Sequence, residues 1–215
     1  MFFLRLLTMV SSAVPLAVGL FYYRRLMREM KILVLYLGIS FIFELSLFLL
    51  GLLGVNNLWM VQVWTIIEYI FIVVLFSYWM KVGKIRMALI YSVIPFIIFY
   101  IIDVALLSEV DKFNSYSRSV ESLIFSGVAG YALYDLSKTH TGSLWQNFRF
   151  YLILAVFLYF TGSLMIYALS NLVIEYAFNI ALPFFIIPLV LNSISYYLYA
   201  GGILCQVKTQ SYCSR

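Results

Sequence analysis

Seven runs of apolar residues, at positions 6–23, 32–54, 60–80, 87–107, 116–136, 150–173 and 177–204, occupy most of a chain of 215 residues. A helix rises 1.5 Å per residue, so about 20 residues cross the roughly 30 Å of hydrocarbon in a bilayer. The runs are of that order. They are too long for strands and lack the apolar–polar alternation of an outer-membrane barrel. Composition points the same way: 65% of residues are hydrophobic and 11% charged, against roughly half and a quarter in soluble domains. One water-facing core cannot bury so much apolar surface. The pattern predicts an all-α membrane protein, a single domain over 1–215 built as a bundle of seven transmembrane helices.

The connectors predict its orientation. Arg24, Arg25, Arg28, Lys31, Lys81, Lys84, Arg86, Lys138, Arg149, Lys208 and Arg215 fall on one side of an alternating seven-span path, and only Arg5, Lys112 and Arg118 on the other. Basic connectors stay in the cytoplasm, so the N-terminus is expected outside and the C-terminus inside. The net charge of +5 therefore reads as a topology signal, and no nucleic-acid partner is expected. One basic residue, Arg5, precedes the first run and four follow it, the reverse of the polarity of a cleavable signal, so the run is expected to be retained. Cys205 and Cys213 both fall near the cytoplasmic end and are expected to stay reduced. Trp59, Trp64 and Trp79 fit interfacial belts near span ends.

Ionisable groups inside hydrocarbon are costly, about 2.5–3.5 kcal/mol at mid-span on insertion scales, and commonly mark function. Glu44 lies near the middle of the second run and Glu68 in the third. Counted from the turn through Asn56 and Asn57, they sit about 15 Å and 12 Å deep at 1.5 Å per residue, at similar levels of a tight hairpin. Arg118 and Glu121 occupy the first turns of the fifth run, three residues apart, as a local ion pair where that helix begins, with Asn114 or Ser115 as its N-cap. Asp103 lies toward the outer end of the fourth. Tyr159, Ser163, Tyr167 and Asn171 recur at steps of four in the sixth run; Asn192, Ser195, Tyr196 and Tyr199 form a similar stripe in the seventh. Such stripes turn away from lipid. They serve either a pocket or simple interhelical hydrogen bonding. Pro183 either bends the last helix together with Pro188 or opens it, and Gly201 and Gly202 ease its exit.

Other chemistries find no support. The last run has no lysine for a retinal Schiff base. The acids lack the Glu-x-x-His companions of a carboxylate metal site, and the single histidine, His140, lies in a connector. No catalytic residue, cofactor or metal is expected.

Three stretches carry a resemblance: Asn56-Asn57-Leu58-Trp59 with the following Glu68, the stretch from Phe113 through Ser122, and Tyr159-Phe160-Thr161-Gly162-Ser163. Across nearly its whole length the chain resembles a family of seven-span inner-membrane proteins of Bacteroidota-type bacteria. The resemblance implies a bacterial inner-membrane location and, through proximity to sensor histidine kinases, a signalling role. It carries over no catalytic or binding residue.

The expected function is a sensory or accessory membrane module. It would bind a small molecule or lipid in a polar pocket in the outer half of the bundle, formed by Glu44, Glu68, Arg118, Glu121, Tyr167, Asn171 and Asn192. Output would pass through a protein partner or a second copy of the chain, with membrane lipids as constant neighbours. A proton-coupled transporter, a lipid-modifying enzyme and a structural subunit are the alternatives.

Overall fold

In the computed structural model, described over residues 2–55, 57–80, 83–107, 115–140, 142–176 and 178–213, the chain is helical, with no strand among the described residues. The helices are α1 (Phe2–Phe21), α2 (Arg28–Leu52), α3 (Leu58–Trp79), α4 (Lys84–Tyr91), α5 (Val93–Ile102), α6 (Ser115–Thr139), α7 (Phe148–Tyr176) and α8 (Phe178–Cys213). Each apolar run of the sequence falls on a helix or, in the fourth, on a helix pair. Five segments are long and apolar enough to cross a membrane: Arg28–Leu52, Trp59–Trp79, Lys84–Ala105, Phe148–Tyr176 and Pro183–Thr209. The apolar part of α1, Leu6–Phe21, is shorter. Helix α6 has the length but carries Arg118, Glu121, Asp135 and Lys138.

The fourth run breaks for a local reason. Pro95 has no N–H to offer the carbonyl of Tyr91, four residues back, and α4 ends at Tyr91. Ser92 joins the two pieces with helical dihedrals; its N–H reaches Ala88 O at 2.9 Å, and its carbonyl accepts from Phe96 N at 3.0 Å. Its hydroxyl lies 2.7 Å from both Leu89 O and the Tyr69 hydroxyl, fixing the joint to α3. Beyond α5 the chain widens into a π-helical turn, Asp103–Leu107.

Six helices close a ring in the order α1, α2, α3, α6, α7 and α8, while α4 and α5 pack outside it on α3. In lipid no hydrophobic force drives such association, so close van der Waals approach and interhelical hydrogen bonds must do it. Glycine permits the approach. A Cβ on Gly162 would stand 2.5 Å from Leu191 Cδ1, and one on Gly202 would stand 2.7 Å from Leu152 Cδ2. Gly202 thus serves the α7–α8 contact and not a helix exit, since α8 continues to Cys213. The same helix begins at Phe178, so Pro183 lies within it and does not open it.

The core is aromatic. Tyr69 stacks on Phe96 at 3.7 Å between centroids and meets Phe125 at 4.9 Å, and Phe125 meets Phe160 at 5.0 Å. This column ties α5, α3, α6 and α7 together. Two tryptophans expected at the interface have turned inward: Trp79 is buried in the core, and half-buried Trp64 stacks against Tyr36 at 5.9 Å. Trp59 stays exposed.

Candidate functional site

Inside the ring, toward the end that carries the α2–α3 turn, lies a cavity of about 240 Å³. Its wall draws on all six ring helices: Thr8 of α1, Glu44 of α2, Glu68 of α3, Arg118 of α6, Tyr167 of α7 and Asn192 of α8 among them. The sequence-expected residues Glu44, Glu68, Arg118, Tyr167 and Asn192 therefore share one chamber. Glu121 stands behind it, fully buried against Arg118. Asn171, one turn beyond Tyr167, does not line it.

The floor is an ion cluster. Arg118 Nη1 lies 2.5 Å from Glu68 Oε2 and 3.1 Å from Glu121 Oε2. All three side chains are at most 5% exposed, so neither acid faces lipid. The Tyr36 hydroxyl donates to the other Glu68 oxygen at 3.2 Å. The Arg118 guanidinium also sits 5.7 Å from the centre of the Tyr167 ring, within cation–π range. Arg118 Nε and Glu121 Oε1 are buried without a hydrogen-bond partner in the protein. Buried ion pairs hold only when their geometry offsets desolvation, and α3 and α6 must keep register here for that to happen.

Glu44 belongs to a separate group on the wall. It is half-buried, and Asn192 Nδ2 donates to its Oε1 at 3.1 Å. One turn down α2, Ser40 meets the Tyr196 hydroxyl at 2.8 Å, a second α2–α8 bond along the same seam. Tyr159 and Tyr167 hydroxyls meet at 2.9 Å on α7. Both predicted stripes therefore face inward, and Ser195 of the second donates to Ala155 O at 2.9 Å across the α7–α8 contact.

The start of α6 is held from outside the helix. The Asp103 carboxylate accepts from Ser117 N at 2.9 Å and from the Ser117 hydroxyl. An acid at this point satisfies an orphan N–H and opposes the positive helix end. Ser115, expected as a cap, instead donates to Tyr167 O at 2.5 Å; the other expected cap, Asn114, lies outside the described residues. Asp103 and Ser115 thereby fix α6 against its neighbours on either side of the turn that carries Arg118.

Sequence reading missed Tyr36 and Ser40, although Tyr36, Ser40 and Glu44 repeat at steps of four. It also missed buried Thr8, Ser11 and Ser12 on α1, and Gln62 and Thr65 before Glu68 on α3. Both sets hold helical spacing and could have been found the same way. The Glu68–Arg118 pairing, 50 positions apart, left no local signal.

Chemically, the lining and floor hold three carboxylates and one guanidinium. Formal charge is negative, so the chamber suits a cation or a donor-rich neutral molecule. Its volume lies below the usual range of drug-sized ligand sites, which limits an occupant to a small molecule or one end of a larger one. No protein-family model, curated protein or solved structure matches the chain.

Proposed function

We propose that this chain is a multi-pass membrane receptor or accessory module that binds a small cationic or hydroxyl-rich molecule in the six-helix cavity and transmits its occupancy to a partner protein. One observation carries this reading: every ring helix contributes a lining side chain, so an occupant borders all six ring helices at once. A ligand that fits two helix arrangements differently must shift the balance between them. Such a module would signal from a bacterial inner membrane.

In this arrangement the bundle crosses the membrane seven times. Helix α1 provides the first and the α4–α5 pair the fourth. Helix α6 provides the fifth, its Arg118 and Glu121 turned into the bundle and away from lipid. The N-terminus then lies outside and the basic connectors inside, which opens the cavity end toward the extracytoplasmic half.

The test is native mass spectrometry of gently solubilised protein, wild type against Glu44→Gln. Gln at 44 keeps an acceptor for Asn192 and removes only the charge, so folding is preserved. A small molecule retained by the wild type and lost from the variant supports the pocket. Equal spectra for the two, with no small molecule on either, overturn it. Choline, ethanolamine and glycerol added singly then define the class of occupant.

A further inference from the structure

At the other end of the bundle, where α3 ends, α4 and α7 begin and α6 runs out, a second cavity of about 450 Å³ opens. The function proposed above does not use it. Three cations line it: Lys84 and Arg86 in the first turn of α4, and Arg149 in the first turn of α7. One carboxylate, Asp135, lines it too. Glu29, outside the lining, holds Arg149 Nη2 at 3.2 Å and leaves Arg149 Nε buried without a protein partner.

Two further donors converge there. Trp79 lines the cavity at 6% exposure, and its indole N–H is buried without a hydrogen bond. An indole nitrogen only donates, so a group filling that position must accept. The α4 N-terminus also borders the space. Gly83 precedes it in extended backbone and offers no side-chain cap, so the first N–H groups of the helix are left to other acceptors. Helix N-termini bind anions through these groups and the helix dipole.

We infer that this cavity is a binding site for an organic phosphate, its phosphate held by Arg86, Arg149, Lys84, the Trp79 indole N–H and the start of α4. Guanidinium groups match phosphate geometry through paired hydrogen bonds, and Lys84 adds a mobile charge. The volume exceeds what a bare phosphate fills. Ile85, Leu136 and Ile153 on the same wall give the organic remainder an apolar seat. Two sources offer this chemistry: the headgroup of an anionic phospholipid, and a soluble phosphate ester.

Isothermal titration calorimetry on the full chain in neutral detergent separates the two. The probes are dioctanoyl phosphatidylglycerol, dioctanoyl phosphatidylcholine and glycerol 3-phosphate. Saturable binding of phosphatidylglycerol, at least tenfold tighter than phosphatidylcholine, assigns the site to a lipid headgroup. Binding of glycerol 3-phosphate alone assigns it to a soluble ester. In either case Arg86→Gln is expected to weaken binding about tenfold, as loss of a charged hydrogen bond does. Trp79→Phe, which keeps the ring in the core and removes only the donor, is expected to weaken it on the order of threefold. Both variants are checked for unchanged elution and melting, and Lys84→Gln at an exposed position stands in if Arg86→Gln fails to fold. Equal affinity for the two lipids without ester binding, no binding of any probe, or unchanged affinity in folded variants overturns the inference.

Discussion

Arg118 Nη1 stands 2.5 Å from Glu68 Oε2, which ties α6 to α3 across 50 positions of sequence. The same nitrogen reaches Glu121, one turn along its own helix. Arg118 is therefore the only described cation among buried acids on the cavity floor, and what it holds in place is the geometry of the chamber.

Removing it should be severe. Arg118→Met leaves Glu68 and Glu121 buried without their counter-charge, and breaking a buried pair from one side costs about 3–5 kcal/mol. Adding Glu68→Gln to that variant should restore part of the loss. Equilibrium unfolding in mixed micelles with increasing dodecyl sulfate measures both. A loss under about 1 kcal/mol for Arg118→Met would mean that the cluster is solvated and not structural.

Glu44 should behave in the opposite way. Its carboxylate meets Asn192 on the cavity wall and lies outside the Arg118 cluster. Glu44→Gln is expected to change stability by less than about 1 kcal/mol, the scale of one interhelical hydrogen bond. Affinity for a cationic occupant should fall about tenfold, the loss of a charged contact. Unfolding and binding, measured on one preparation, separate these effects.

Asp103 should matter through α6. Asp103→Ala removes the acceptor for the Ser117 amide and hydroxyl, and is expected to lower stability by about 1.5–3 kcal/mol. The sharper readout is local. Amide hydrogen exchange at Ser117 and Arg118 should speed up markedly while the middle of α7 is unchanged. Uniform acceleration across both helices would point to global destabilisation instead.

Two glycines on different faces make a paired test of packing. Gly202→Ala would bring a methyl within 2.7 Å of Leu152 Cδ2 and 3.3 Å of the Phe148 carbonyl oxygen. Leu152 is fully buried and the carbonyl belongs to backbone, so neither yields easily, and a loss of about 1–3 kcal/mol is expected. Gly127→Ala meets nothing within 4 Å and should gain about 0.5–1 kcal/mol from helix propensity. The order of their unfolding midpoints checks the α7–α8 contact.

The approximate helix positions along the chain were legible in sequence alone, because hydrocarbon imposes one rule that a linear pattern expresses: about 20 apolar residues, all backbone groups paired within the segment; five segments meet that rule. The inward stripes of Tyr159, Ser163 and Tyr167 were equally local, set by helical spacing, whereas the break before Pro95 was not legible, since Pro15, Pro183 and Pro188 lie inside unbroken helices. Tertiary structure alone decided the rest. Which way each helix turns about its axis depends on side chains from other helices, and no spacing within α3 states that Glu68 faces Arg118. The same holds for Trp64 and Trp79, whose polar edges suit an interface as well as an interior until neighbours fill one of them. It holds again for Asp103, which caps a helix it does not belong to. The cavity is a property of six helices brought together, and its charge and shape exist only once they close.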